Sequence, residues 1–223
     1  MLSSPSLSAT SQQGQALGPR IRKLHAHIGK AHHQAEGMEF SRALLEGRAT
    51  PLQLAGLLRV LRALLPAYTL LEQEAPDLAT ALGATNIPWS DLARRHALEH
   101  DLKQLAALPA TPASAAAASW LEQIKLLARQ APHRLMAHVY VRYGGDLSGG
   151  QQLGGQADII LGRHGLPALK FWSFEQEIPA LKIALHNGFE QMDLSEAEEE
   201  ELLDEAVAAF KLTQKLLAEL AEI

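Results

Sequence analysis

The stretch YGGDLSGGQQLGG, residues 143–155, carries six glycines in three pairs. It follows HRLMAHVYVR (133–142), whose apolar spacing is that of a helix. A glycine in a helix interior costs about 1 kcal/mol relative to alanine, so this many demand a reason. One reading is a plain flexible loop. The other is a helix that kinks, so that bare backbone can approach a bulky partner closely. Leu147, Leu153, Ile159 and Ile160 carry the apolar pattern through and beyond the run. That continuity favours a kinked helix lying against something flat.

Working outward, segment after segment shows a 3.6-residue apolar period and none shows strand alternation. The first helix begins near Arg20, with Ile21, Leu24, Ile28, Ala31 and Ala35 on one stripe. Thr50 and Pro51 read as a cap and first-turn proline, opening a helix through Leu54, Leu57, Leu58, Leu61 and Leu65 with a kink expected at Pro66. Residues 89–105 are expected to form one further helix. PATPASAAAAS (109–119) joins a loop to an alanine-rich helix start, and Pro132 opens the glycine-broken helix. Ser195 and Glu198 match a capping box before a last helix through Leu203, Val207, Phe210 and Leu217.

The composition agrees. Of the 223 residues, 47% are hydrophobic but only 5% aromatic, which suits a helical core better than a sheet. There are no repeats and no linker, so the expectation is a single all-α domain over residues 19–223. Residues 1–18 contain no Lys or Arg and no long apolar core. They read as a disordered tail rather than a secretory signal. A net charge of −5 leaves no basic footprint for nucleic acid. The absence of cysteine excludes disulfides, thiolate metal sites and cysteine nucleophiles. No apolar run approaches a membrane span, so a cytoplasmic location is expected.

The histidines sort by helical angle, at about 100° per residue. His32 falls on the edge of the first helix's apolar stripe, one turn from Ile28. Glu36, four residues on, stands on the same side and can take the imidazole Nδ1 hydrogen, aiming Nε2 at a metal. From this helix alone, a partly buried histidine satisfied by Glu36 is the plainer reading. His96, Glu99 and His100 match the H-x-x-E-H zinc pattern. However, both histidines lie opposite the face made by Leu98, Leu102 and Leu105, so a solvated surface is expected there. The string GDLSGG is similar to the GDSGG of trypsin-like proteases, but Leu147 interrupts it and those enzymes need two β-barrels. No P-loop lysine or GxGxxG is present.

Together, HHQAEGMEF (32–40) and HVYVRYGGDLSGGQQL (138–153) resemble the heme oxygenase family. The resemblance extends over about residues 20–220, including ALEHDL (97–102). It implies a helical bundle and an enzyme that cleaves heme to biliverdin, carbon monoxide and ferrous iron. Heme would be both substrate and prosthetic group, with dioxygen as co-substrate. Under the resemblance His32 is the proximal iron ligand, Glu36 its hydrogen-bond partner, and the glycine-rich helix the distal one. Gly145 and Gly149 let backbone lie against the porphyrin, with Ser148 and Gly150 beside them. Asp146 organises distal water, and Arg142 belongs to the same polar network.

The resemblance also implies a rim that holds the heme propionates. Tyr140 and Lys182 keep such roles, whereas His186 stands where an arginine is usual and His25 where a lysine is usual. A histidine is a weaker, pH-dependent anchor, so the identity of the meso carbon cleaved, α by default, is open. A ferredoxin or an NAD(P)H-dependent reductase is implied as electron donor, with a bacterial phytochrome as a candidate biliverdin acceptor. No membrane anchor is expected. The alternatives are a non-catalytic heme carrier on the same fold and, more remotely, a zinc hydrolase using His96, Glu99 and His100.

Overall fold

The computed structural model describes residues 17–63 and 65–223, without the side chains of 65–71 and 74. The tail expected over residues 1–18 therefore lies outside the described residues, except for Leu17 and Gly18. Among the described residues the secondary structure is helical, with no strand.

The first helix, α1 (Pro19–Glu36), starts with proline at its first position and buries Ile21, Leu24, Ile28, Ala31 and Ala35. That is the stripe read from the sequence. It packs mainly on the long last helix, α11 (Glu196–Ala221), and also on α10 (Ile178–Gln191). Arg20 fastens the three together. Its guanidinium reaches Glu199 of α11 at 3.3 Å and donates to the carbonyls of Phe189 and Met192 at the end of α10. Those carbonyls have no partner within the helix, so a cation there is doubly favourable. Ser195 and Glu198 form the expected capping box of α11.

A short α2 (Glu39–Leu45) follows, and then α3 (Pro51–Ala63). Thr50 and Gln53 cap α3 reciprocally, side chain to backbone in both directions. Helix is described on both sides of residue 64, which lies outside the described residues, as α3 and as α4 (Leu65–Ala81), and Pro66 lies within that helical stretch. The helix expected over 89–105 is instead two, α5 (Trp89–Leu92) and α6 (Arg95–Gln104), because Ala93 is extended at φ −57°, ψ 129°. Arg94 makes the break tolerable. Its guanidinium donates to the carbonyls of Asp91, Leu92 and Ala93, and across to those of Phe171 and Ser173.

Ser114 caps α7 (Ala115–Gln130), accepting the Ala117 N–H at 2.9 Å. A 3₁₀ turn at Pro132–Arg134 leads into α8 (Leu135–Val139), then a π-helical turn over Tyr140–Gly144. Helical hydrogen bonding continues as far as Leu147, whose N–H meets the Tyr143 carbonyl at 3.0 Å. The chain breaks at Ser148 (φ −114°, ψ −100°) and resumes as α9 (Gly149–Arg163). The kinked helix is thus a π turn followed by a one-residue break. Both are devices that re-aim a helix. Leu147 and Ile160 are buried as expected, but Ile159 is 48% exposed and faces away from the core.

Candidate functional site

The kink and the C-terminal half of α1 enclose an open-sided slot of about 1090 Å³ of empty space, part of it solvent. His32 and Glu36 stand on one side, and Val141, Arg142, Gly145, Asp146, Gly149, Gly150 and Leu153 on the other. Phe40, Leu44, Leu57, Leu61, Phe171, Trp172 and Phe210 close it, so most of the lining is apolar. His32 is neither core nor fully solvated. Its side chain is 47% exposed, into the slot, with the ring edge-on to Phe210 at 5.5 Å. The Glu36 carboxylate lies 3.5 Å from His32 Nδ1, at the outer limit for a hydrogen bond. That leaves Nε2 as the ring nitrogen available for another partner.

The glycines divide by purpose. A Cβ placed on Gly145 or Gly149 would meet nothing within 4 Å. Both residues line the slot, so their missing side chains keep it wide. Gly150 and Gly154 serve packing instead. A Cβ on Gly150 would lie 3.1 Å from the Trp172 ring and from the Gly145 carbonyl, and one on Gly154 would lie 2.6 Å from Trp172 Cβ. Helix α9 therefore needs glycine to accept the indole. Ser148 is exposed and does not line the slot.

Asp146 is 8% exposed and borders the slot. Burial pushes its carboxyl up to about 6, with the charges of Arg142 and Arg94 pulling the other way. A carboxyl in that range exchanges a proton near neutral pH. Behind it, Glu72, Arg94, Arg142, Tyr143 and Asp146 line a second, smaller cavity with Leu61, Leu98 and Phe171. Tyr143 donates its hydroxyl to Glu72 at 3.1 Å, and Arg142 lies over the Trp120 ring at 5.5 Å.

His25, Tyr140, Lys182 and His186 also come together, though outside the lining of the slot. His25 precedes His32 by seven residues, about 10 Å along α1, and Tyr140 precedes the slot-lining Val141. Burial lowers the affinity of both imidazoles for a proton, and for His25 the charge of Lys182 adds to this. Burial and the charge of Glu190 raise the Tyr140 phenol well above its usual range.

Two features escaped the sequence reading. Trp120 of α7, His138 of α8 and Glu205 of α11 form a buried polar chain that the half-buried Arg134 of the 3₁₀ turn completes. Trp120 Nε1 donates to His138 Nδ1 at 3.0 Å, His138 Nε2 meets Glu205 Oε1 at 2.9 Å, and Arg134 Nε reaches Glu205 Oε2 at 3.1 Å. Because indole N–H only donates, His138 carries its hydrogen on Nε2 and donates it to Glu205. Burial raises the Glu205 carboxyl, but His138 and Arg134 outweigh it and hold it low. The available signal was a glutamate on the apolar stripe of α11, between Leu202 and Ala206. The second feature is Asp101, fully buried, which accepts the Lys170 and Phe171 N–H groups at 2.9 and 2.8 Å. It ties down the loop that delivers Phe171 and Trp172 to the slot.

The zinc-like cluster is a surface feature, with the His96 side chain 94% exposed. Among the described residues, no group of three or more His, Asp or Glu is placed to hold a metal ion. Nor is any helix among them long and apolar enough to cross a membrane.

Comparison with known proteins agrees with this geometry. The heme oxygenase family model matches residues 21–219. Heme oxygenase 1 of the cyanobacterium Nostoc is 27% identical over 209 residues, covering 89% of this chain and 84% of that protein. The human heme oxygenase 1 is 31% identical over 207 residues, covering 87% and 69%. The crystal structure of heme oxygenase-1 from Synechocystis in complex with heme superposes with a TM-score of 0.80 at 27% identity, covering 91% of this chain and 92% of that one. The heme oxygenase of Leptospira interrogans gives 0.79 at 26% identity, covering 91% and 100%. A match running through the whole bundle, from the α1 histidine to α11, makes this chain a member of the heme oxygenase family.

Proposed function

We propose that this chain is a heme-degrading oxygenase that takes heme into the slot, with His32 Nε2 as the iron ligand. The observation that carries this reading is an imidazole facing side-chain-free backbone at Gly145 and Gly149 across an apolar slot. These residues fit a flat metal macrocycle, since a Cβ at either glycine would project into the space the macrocycle needs. Bound heme, given dioxygen and electrons, supplies the oxidative chemistry that ends in biliverdin, carbon monoxide and ferrous iron.

The protein's own tasks follow from its geometry. Glu36 accepts the Nδ1 hydrogen of His32, fixing the ring's orientation and raising its basicity. Gly145 and Gly149 keep side chains out of the slot opposite His32, while Gly150 in the same wall makes room for Trp172. Ser148, exposed and outside the lining, lies just beyond that wall. Asp146 holds or releases a proton at its carboxylate through a water, and its value near 6 suits that role. Arg142 and Arg94 limit how far burial raises that carboxylate. Phe171, Trp172 and Phe210 exclude bulk water. A ferredoxin or an NAD(P)H-dependent reductase supplies the electrons, and a bilin-binding protein such as a bacterial phytochrome is a suitable acceptor.

Hemin titration followed by reductant under air tests the reading, with chromatography of the product. A Soret band that converts to a bilin spectrum is the expected result. A stable Soret band without bilin means a heme carrier, and no Soret band at all overturns the reading.

A further inference from the structure

Two buried indoles differ in what their N–H groups do. Trp120, fully buried, donates its Nε1 hydrogen to His138 at 3.0 Å. Trp172 is only 7% exposed, yet among the described residues its Nε1–H has no acceptor. A buried indole N–H ordinarily has one. Nor is that nitrogen fully enclosed by protein atoms, so it opens onto accessible space. The way the ring is held says which space. Its Cβ, Cγ and Cδ2 atoms rest against Gly154, which does not line the slot, whereas Cδ1 and Nε1 rest against Gly150, which does. A Cβ on Gly150 would lie 3.1 Å from Cδ1 and 3.4 Å from Nε1. The pyrrole edge is thus the end nearer the slot. Gln151 donates to the carbonyls of Trp172 and Asp146, each at 3.0 Å, and so fastens the indole's backbone beside that of Asp146.

We infer that Trp172 donates its Nε1 hydrogen to the ligand atom or water held on the glycine side of the slot, opposite His32. The inference rests on the heme reading, which puts the open iron position on that side. Trp172 and Asp146 then do different things there. A carboxyl takes up or releases a proton, whereas an indole N–H only donates a hydrogen bond and keeps its hydrogen. Trp172 therefore stabilises negative charge on an electronegative atom in the slot without protonating it. Gly150 and Gly154, by admitting the indole, belong to the same device.

Titration of the hemin-loaded protein with fluoride, a strong acceptor, and of the reduced protein with carbon monoxide, a poor one, tests this. Trp172→Phe removes the N–H with some loss of packing. Trp172→benzothienylalanine removes it from a ring of nearly the same shape. Both proteins are expected to bind fluoride, relative to carbon monoxide, about fivefold or more weakly than the native protein does. The ratio isolates the hydrogen bond, because altered packing acts on both ligands. A native ratio in the benzothienylalanine protein overturns the inference and leaves Trp172 as wall alone. Heme-free protein gives a second readout through the indole N–H resonances of its three tryptophans. The resonance lost in Trp172→Phe should exchange with water far faster than that of Trp120, and exchange as slow as that of Trp120 also overturns the inference. Absence of a Soret band when hemin is added to the native protein would instead overturn the heme reading itself.

Discussion

Gly154 and Trp172 are in direct register: a Cβ on Gly154 would sit 2.6 Å from the Trp172 Cβ. Gly150 and Gly154 thus accommodate an indole, and the indole forms part of the slot wall. Asp101 holds the same loop from behind through two backbone N–H groups. The wall opposite His32 is thus braced from behind and left bare toward the slot at Gly145 and Gly149.

Two alanine substitutions should therefore behave in opposite ways. Gly154→Ala is expected to destabilise the fold by about 1–3 kcal/mol through overpacking, read as a lower urea midpoint. Gly145→Ala has open space around its Cβ and should keep or slightly raise stability, by up to about 1 kcal/mol. It should nevertheless weaken hemin binding several-fold, because the methyl group enters the slot. Equal losses of stability from both would contradict this division of the glycines.

His32→Ala is expected to abolish the native axial ligation, shifting and broadening the Soret band. Glu36→Ala should leave ligation in place but alter it more mildly, since it orients the ring rather than binding iron. Absorption spectra of the ferric and ferrous–CO forms check both. An unaltered His32→Ala spectrum would remove the proximal assignment.

Asp146 links pH to stability with a definite sign. Its folded value, about 6, lies above its ordinary 3.8, so the folded protein binds this proton more tightly than the unfolded chain does. The stabilisation is fully present below about pH 4 and is lost as pH rises to about 6, by about 3 kcal/mol at most. Asp146→Asn cannot ionise. Its stability relative to the native protein should rise across that window and level off above it, as urea denaturation at several pH values will show. The same variant should bind hemin yet form little bilin under reductant and air.

Breaking the Trp120–His138–Glu205–Arg134 chain should damage the fold rather than the chemistry. Glu205→Ala removes the carboxylate that both His138 and Arg134 use, leaving buried polar groups unpaired. A loss of about 3 kcal/mol or more is expected, with a normal Soret maximum in whatever protein remains folded. A shifted Soret band at full stability would place Glu205 in the heme site instead.

Much of the bundle was legible because burial follows a 3.6-residue period. The α1 stripe from Ile21 to Ala35, the Thr50–Pro51 start and the Ser195–Glu198 capping box all depend on neighbours a few residues apart. The misreadings occurred where a distant group overrode the local pattern. The helix over 89–105 is broken because Arg94 satisfies its loose carbonyls together with those of Phe171 and Ser173, which no local pattern reveals. Ile159 fits the apolar spacing yet faces outward, because α9 buries the face of Gly154, Ala157 and Leu161, from which Ile159 is turned away by helical angle.

The sequence by itself determined an all-helical chain, an inward-edge histidine with a glutamate one turn on, and a glycine run that had to bend. These are properties of covalent neighbours and helical angle. Only the tertiary structure decided which glycines face the slot and which face Trp172. Only there do His25, Tyr140, Lys182 and His186, drawn from three separate elements, meet in one cluster. The same holds for the Asp146 carboxyl, whose value near 6 comes mainly from burial. Burial and long-range contact are set by packing, and packing is not written in any single stretch of the chain.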